Sequence, residues 1–423
     1  MARKKRVRSP IRLLVGAIAL FEVSAFLLLA VRTDPLDLNA MLLAVAVPAL
    51  CWISTLLFPK FFPIDRLLLA LTNFLCGVGI IILYRMAPQR GMDQAGYYAM
   101  GLGVMMVCIM LVRWVRDWKV LCWLMVPVGI GLLVLPLLFG QVQGGAKSWV
   151  EVPWVGSFQP SELVKLLLLL VLAYFLSERR SLLQMMPALL FVVGCLGVLL
   201  LQADLGTALL YYITTIAVYF VSSSNALLTL VGLGGGVAAA VAGYHMFAHV
   251  RVRVAMWRNP WVDSLGKGYQ IIQALMAIGS GGLFGLGLGL GQPRVIPAYH
   301  TDFVFAVICE QFGIVFGLCV VLIYIALLLR GFSIALRARQ SFYALLAFGS
   351  SILLGVQTFV IIAGVVKMIP LTGITMPFIS AGGTSMLSCM GLIGLLQGVS
   401  SRIKEDTAQD VALALVIEEG GRA

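Results

Sequence analysis

Seven ionisable side chains stand within, or at the edge of, long apolar runs: Glu22, Glu162, Lys165, Asp204, Asp302, Glu310 and Lys367. An ion at that depth is costly and is kept where it has a partner or a task. Asp302 lies in His300-Thr301-Asp302-Phe303, where a long polar segment turns into an apolar run. A carboxylate there can take a proton from a sugar hydroxyl at a water–lipid boundary, or simply cap the helix that follows. Glu162 and Lys165 are three apart in Pro160-Ser161-Glu162-Leu163-Val164-Lys165, a spacing that puts them on one helix face as an ion pair. Pro160 and Ser161 open such a helix well, and Glu162 suits its positive end. The pair either neutralises Lys165 inside a bundle or serves a site. Asp204, in Gln202-Ala203-Asp204-Leu205-Gly206-Thr207, reads in the same two ways, as an N-cap or as a site carboxylate.

A second set is cationic. Arg251, Arg253, Arg258 and Lys267 share one segment; guanidinium forks suit diphosphate oxygens and anionic lipid headgroups alike. His245 and His249 have the spacing of metal ligands on a helix, but no third ligand lies in reach, so no metal site is expected there. The eight cysteines fall in apolar runs without CxxC or Cys/His spacing, and read as small buried thiols. Gly287-Leu288-Gly289-Leu290-Gly291 follows no strand and precedes no Lys-Ser/Thr, so these glycines serve tight turns rather than a phosphate loop. Gly232 and Gly236 form a GxxxG pair, a signature of close helix packing.

These residues have to be held by membrane-spanning helices. Of 423 residues 61% are apolar and 11% charged, more apolar surface than a water-soluble fold hides. That composition excludes a soluble enzyme, a disordered chain and a disulfide scaffold, and the continuity of the runs excludes a transmembrane barrel. Twelve runs are long enough to span, near residues 11–31, 39–58, 66–84, 96–114, 121–139, 161–177, 186–201, 205–222, 226–247, 303–330, 342–366 and 375–399. The net charge of +12 comes from Lys and Arg at the ends of these runs, where membrane topology uses them, so no nucleic-acid partner is expected. With the cluster Arg3-Lys4-Lys5-Arg6, Arg8 and Arg12 in the cytoplasm, the inner loops hold Lys60/Arg66, Arg113/Arg116/Lys119, Arg179/Arg180 and Arg330/Arg337/Arg339. This satisfies the positive-inside rule and puts both termini in the cytoplasm. The first run is too long for a cleaved signal. Two outer segments remain, residues 140–160 and the long loop 248–302, within which Tyr269–Gly279 is apolar but too short to span and reads as an interfacial or re-entrant helix. No internal repeat of a transporter is visible, and the tail from Arg402 reads as loosely ordered.

Four stretches together resemble the SEDS family (shape, elongation, division and sporulation; the FtsW, RodA and SpoVE proteins). The first is Gly145-Ala146-Lys147-Ser148-Trp149 running on to Phe158-Gln159-Pro160-Ser161-Glu162-Leu163 and Lys165, and the second is Gln202 to Ala208. The third runs from Tyr269-Gln270 through Gly279-Ser280-Gly281-Gly282-Leu283-Phe284-Gly285 to His300-Thr301-Asp302-Phe303. The fourth is Ile369-Pro370-Leu371-Thr372-Gly373 with Pro377-Phe378 and Gly382-Gly383-Thr384-Ser385. The resemblance implies an all-α polytopic membrane protein: a ten-helix catalytic core over residues 63–400, two extra N-terminal spans within residues 1–62, and a cytoplasmic tail, 401–423. It also implies a peptidoglycan glycosyltransferase of the bacterial cytoplasmic membrane, polymerising lipid II into glycan strands at the outer face. Its partners would be a class B penicillin-binding protein and other division or elongation proteins. The family's essential loop aspartate matches Asp302, its helix pair Glu162 and Lys165, and its second outer aspartate Asp204.

The sequence departs from the family where Ala298 replaces the Glu of Pro-Glu, Ala203 replaces Pro, Ala381 replaces Tyr, Gln311 replaces Glu, and Ile362-Ala363-Gly364 lacks the usual Asn. The chemistry then expected is an inverting displacement with Asp302 as base for the 4-hydroxyl of the acceptor sugar. Arg251, Arg258 and Lys267, with a divalent cation (Mg or Mn), would steady the departing diphosphate. Glu162, Lys165, Asp204, His300 and Trp149 complete the expected substrate-binding set. The alternative is a lipid II flippase, which would need polar groups along the whole path; a third is a scaffold indifferent to loss of these charges.

Overall fold

The computed structural model describes residues 10–32, 35–143, 145–152, 156–177 and 182–420. The basic residues Arg3, Lys4, Lys5, Arg6, Arg8, Arg179 and Arg180 lie outside the described residues. Fourteen α-helices are described: α1 (Pro10–Val31), α2 (Leu38–Phe61), α3 (Arg66–Met86), α4 (Pro88–Trp114), α5 (Trp118–Phe139), α6 (Pro160–Ser177), α7 (Leu182–Leu201), α8 (Leu205–Ser223), α9 (Ala226–Met246), α10 (Ala248–Arg258), α11 (Tyr269–Gly281), α12 (Val304–Arg337), α13 (Ser341–Val365) and α14 (Gly383–Gly420). All but α10 and α11 are long and apolar enough to cross a membrane, giving the twelve spans the apolar runs predict. Asp side chains open several of them: Asp37 accepts from Asn39 and Ala40, Asp65 from Leu67 and Leu68, and Asp117 from Lys119. Each satisfies N–H groups that a helix start leaves bare.

The most buried helices are α3, α6, α13 and α14, while α9 is nearly all exposed. α9 leans on α8 through its glycine pair: a Cβ at Gly232 would stand 2.7 Å from Ile216, and one at Gly236 2.5 Å from Tyr212. The extra helices α1 and α2 pack on the core. Phe21 of α1 meets Phe74, Phe312 and Phe316, and Asn73 of α3 donates to Ser54 (2.8 Å) and Thr55 (2.9 Å) of α2.

Three features depart from the sequence reading, each for a local reason. The segment 140–160 carries a three-stranded antiparallel sheet of β1 (Gln141–Gln143), β2 (Ala146–Val152) and β3 (Gly156–Phe158). Trp149, Val150 and Val152 are strand formers, and Gly145 at φ 90° turns the first hairpin. The last span begins at Gly383 rather than near residue 375, because Pro370, Pro377, Gly373 (φ 77°) and Phe378 (φ 66°) hold 366–382 out of helix. Finally, α14 continues to Gly420, where a loosely ordered tail is expected. Arg113 pairs with Glu405 and Arg339 with Asp410, tying its extension to the bundle.

α12 is interrupted at Gly313 (φ 87°, ψ 167°). The break frees the carbonyls of Glu310 and Gln311, which accept from the N–H groups of Leu286 (2.9 Å) and Gly287 (3.0 Å). Ile314 and Val315 N–H donate in turn to the carbonyls of Gly282 (2.9 Å) and Leu283 (3.2 Å). The turn after α11 therefore mends the break, as backbone at membrane depth requires. Glycine is obligatory in this seam: a Cβ at Gly285 would stand 2.2 Å from the Gln311 carbonyl oxygen.

Candidate functional site

One cavity gathers most of the expected chemistry. It has a volume of about 320 Å³ and is lined by Trp149, Glu162, Lys165, Asp204, Arg253 and Asp302 among others. They arrive on separate elements, save Glu162 and Lys165, which share α6. Lys147 of β2 donates its N–H to the Gln202 carbonyl (2.9 Å) and its ammonium to the Leu137 carbonyl (2.8 Å). These bonds pin the sheet to α5 and to the α7–α8 turn, and bring Ser148 and Trp149 to the cavity wall.

The Glu162–Lys165 pair sits in the first turns of α6, with Nζ 2.6 Å from the carboxylate. Lys165 is 1% exposed and also donates to Gln357 Oε1 of α13 (3.1 Å). Ser388 of α14 donates to Glu162, and Gln357 donates to the Thr375 carbonyl (2.9 Å). The pair ties three helices together and still faces the cavity. Asp204 is both cap and wall. It accepts from Thr207 N–H (3.1 Å), Thr207 Oγ1 (2.9 Å) and Gln159 Nε2 (3.3 Å). Burial raises its pKa above the ordinary carboxylate value, against the pull of the Thr207 bonds.

Asp302 is held by the loop between α13 and α14. Ser380 Oγ donates to the Thr301 carbonyl (2.6 Å), and Ala381 N–H to the His300 carbonyl (2.9 Å). Phe303, not Asp302, is the N-cap of α12, and no side chain hydrogen-bonds to that start. Asp302 is thus free of the capping task. Burial raises its pKa, with Thr301 and Arg253 pulling the other way. Arg253, on α10, donates to the Thr372 carbonyl (2.8 Å). It meets Asp302 across Gly373, where a Cβ would stand 3.3 Å from Arg253 Nη2 and 3.7 Å from Asp302 Oδ2.

Four expected substrate-binding residues do not line the cavity: Arg251, Arg258, Lys267 and His300. Arg251, Arg258 and Lys267 are exposed. Residues two apart on a helix point roughly 200° apart, so α10 turns either Arg251 or Arg253 inward, and it is Arg253. His300 lies half-buried behind the wall; burial and the Arg90 charge push its pKa down to about 4, so its ring is neutral at neutral pH. The cavity also enlists Gln159, Thr207, Gln357 and Thr372, polar side chains with no charge to mark them in sequence. His245 and His249 are separated by the helix break at Phe247, which undoes their ligand spacing; His249 alone reaches the cavity.

Among the described residues, no three His, Cys, Asp or Glu side chains come together as a metal cage.

Residues 65–405 match the family described as cell cycle protein, FtsW/RodA/SpoVE. The peptidoglycan glycosyltransferase RodA of Mycobacterium tuberculosis is 32% identical over 365 residues, covering 79% of this chain and 78% of that protein. Stage V sporulation protein E of Bacillus subtilis is 34% identical over 361 residues, covering 79% of this chain and 96% of the relative. A solved chain from a peptidoglycan synthase complex that coordinates polymerization and crosslinking superposes with a TM-score of 0.66 at 28% identity, covering 80% of this chain and 98% of its own. With the twelve spans and the ordered motifs around the cavity, the match establishes that this chain is a multi-pass membrane protein of the FtsW/RodA/SpoVE family.

Proposed function

We infer that this chain is a peptidoglycan glycosyltransferase that polymerises lipid II into glycan strands for cell division or elongation. The observation that carries the reading is the pairing of Asp302 and Arg253 on either side of Gly373 in one cavity. They stand close without an ion pair, so each is available to substrate. Asp302 takes the proton of the acceptor's 4-hydroxyl as that oxygen attacks the donor's anomeric carbon from the face opposite the diphosphate. The anomeric carbon–oxygen bond breaks with inversion, and the diphosphate departs with the bonding electrons. A carboxylate whose pKa burial has raised is a stronger base than an ordinary one. Arg253 offers its fork to the diphosphate, the task expected of Arg251, Arg258 and Lys267. Glu162, Lys165, Asp204 and Trp149 shape the wall on which the sugars rest.

An apolar groove lined by Val104, Leu163, Leu166, Leu387 and Ser388 opens beside the cavity, and Ser388 is also the partner of Glu162. It suits the lipid chain of a substrate whose head lies in the polar cavity. The basic loops at Lys60/Arg66, Arg113/Arg116/Lys119 and Arg330/Arg337/Arg339 lie on the face opposite the cavity by connectivity, which supports cytoplasmic termini and a cavity on the outer face. Residues 63–400 form the catalytic unit in this reading, with residues 1–62 as an added two-helix extension and 401–423 as a cytoplasmic appendage. The cross-linking partner is a class B penicillin-binding protein, and a divalent cation bound to the diphosphate would add charge stabilisation to the leaving group.

The test is labelled lipid II given to the purified protein, with and without its penicillin-binding partner and Mg or Mn, products resolved by length beside Asp302→Asn. A glycan ladder lost in the variant supports the reading. No ladder under any condition, with lipid II crossing liposome membranes, assigns the protein to the flippase class.

A further inference from the structure

Three arginines on the cavity's face of the membrane line no part of the cavity. Arg32 follows α1, Arg85 stands in the last turn of α3, and Arg294 lies in a short 3-10 turn, Pro293–Val295. They converge around the glycine-rich loop. Arg32 Nη1 donates to the Leu288 carbonyl (3.1 Å), Arg85 Nη2 to the Gly289 carbonyl (2.6 Å), and Arg294 Nη2 to the Met86 carbonyl (3.3 Å). Gly289 sits at φ 95°, and a Cβ there would stand 1.7 Å from Arg32 Nη1 and 3.1 Å from Arg85 Nε. The two guanidiniums are therefore close neighbours, with only a glycine between them.

Among the described residues, one carboxylate faces these three positive charges. Arg85 stands in the field of two like charges, Arg32 and Arg294, and one carboxylate, Glu310. One oxygen of Glu310 is spent on the Gln292 N–H (2.9 Å). Among the described residues, no ion pair reaches any of the three arginines. Arg85 Nε is buried and has no hydrogen-bond partner. The carbonyl bonds occupy one N–H of each guanidinium and fix its direction, leaving the rest of each fork free. Gathered cations with their forks held in place at a water–lipid boundary suit a phosphate, whose oxygens take guanidinium donors two at a time.

We propose that Arg32, Arg85 and Arg294 form a binding site for the phosphate group of a lipid, separate from the cavity and completed by the N-terminal extension. The extension supplies Arg32, which lies before the residues that match the family. The site takes either an anionic phospholipid headgroup or the diphosphate of a prenyl lipid, since both present the same oxygens to the same forks. It depends on no assumption about the chemistry of the cavity.

The test uses the full chain in a phosphate-free maltoside detergent. Phosphatidylglycerol, a long-chain prenyl diphosphate and phosphate-free diacylglycerol are added separately, and retained lipid is counted by native mass spectrometry. Wild type should retain a phosphate lipid over diacylglycerol. Arg32→Gln and Arg294→Gln should each weaken that retention about tenfold or more, the loss of a charged hydrogen bond, and Arg32→Lys should weaken it less. Arg294 is exposed, so its substitution reports on binding even where Arg32→Gln unfolds the protein. Preference for phosphatidylglycerol assigns a structural lipid, and preference for the diphosphate assigns a station on the route of a lipid-linked sugar. Equal retention of all three lipids by wild type, or retention unchanged in the Arg32→Gln/Arg294→Gln double variant, overturns the site. Glycan synthesis is read separately, so the failure of one reading leaves the other standing.

Discussion

At the scale of single residues, Asp302 combines a functional need with an energetic cost. Its folded-state pKa is raised above the ordinary 3.8, so folding favours its protonated form. The sign of the linkage follows: below pH 3.8 the group is neutral in both states and costs nothing, and the cost grows as pH rises through the raised value. Asp302→Asn should therefore leave the melting temperature unchanged or higher, while polymerisation falls by roughly 10²–10⁴; a thermal melt beside a glycan ladder checks both. Catalysis by the wild type should fail on acidification at a pH above the ordinary carboxylate range, a profile measured from initial rates. Lys165 behaves in the opposite sense. Replacing it with Met strands Glu162 in a buried setting and should cost roughly 3–5 kcal/mol, whereas removing both charges should cost less, as a double-mutant cycle of unfolding would reveal. The carboxylates and the Glu162–Lys165 pair were legible in the sequence because charge inside apolar runs is conspicuous. Arg253 was not separable from Arg251, because nothing local says which side of α10 meets the core. The uncharged polar residues of the wall, Gln159, Thr207, Gln357 and Thr372 among them, leave no mark in a chain read for charge.

At the scale of elements, all twelve spans could be read from apolar continuity, because lipid demands long uninterrupted runs. What escaped were elements made by few residues under local rules. The short strands carry no apolar run, and Phe378 adopts a left-handed φ of 66° that its residue type does not announce. The packing of the α11–α12 turn into the break at Gly313 was foreseen only as a helix too short to span. Gly285→Ala should cost about 1–3 kcal/mol from its left-handed conformation alone, with the clash against Gln311 added; loss of monodisperse protein on size exclusion, compared with Gly279→Ala, checks it. Gly279 makes the fair control because a Cβ there meets nothing within 4 Å.

At the scale of the whole molecule, α1 and α2 are tied to the family core by aromatic packing, by the Asn73 amide and by Arg32. Lipid tails are as apolar as the phenylalanines they would replace, so polar bonds decide how much the extension matters. Deleting residues 10–62 should lower the melting temperature, and Asn73→Leu in the deleted chain should recover part of the loss, since the orphaned amide is then gone. Melting of the full chain, the deleted chain and its Asn73→Leu variant in one detergent tests this. The interruption of α12 bears on how the protein is made. Residues 282–287 leave the ribosome before 310–315, yet the amides of Leu286, Gly287, Ile314 and Val315 find their partners only when the two segments meet. Completion of α12 is therefore expected to wait until it meets the turn after α11. Once closed, the amides of Leu286, Gly287, Ile314 and Val315 should exchange with deuterated solvent among the slowest in the chain, despite lying where the helix is interrupted.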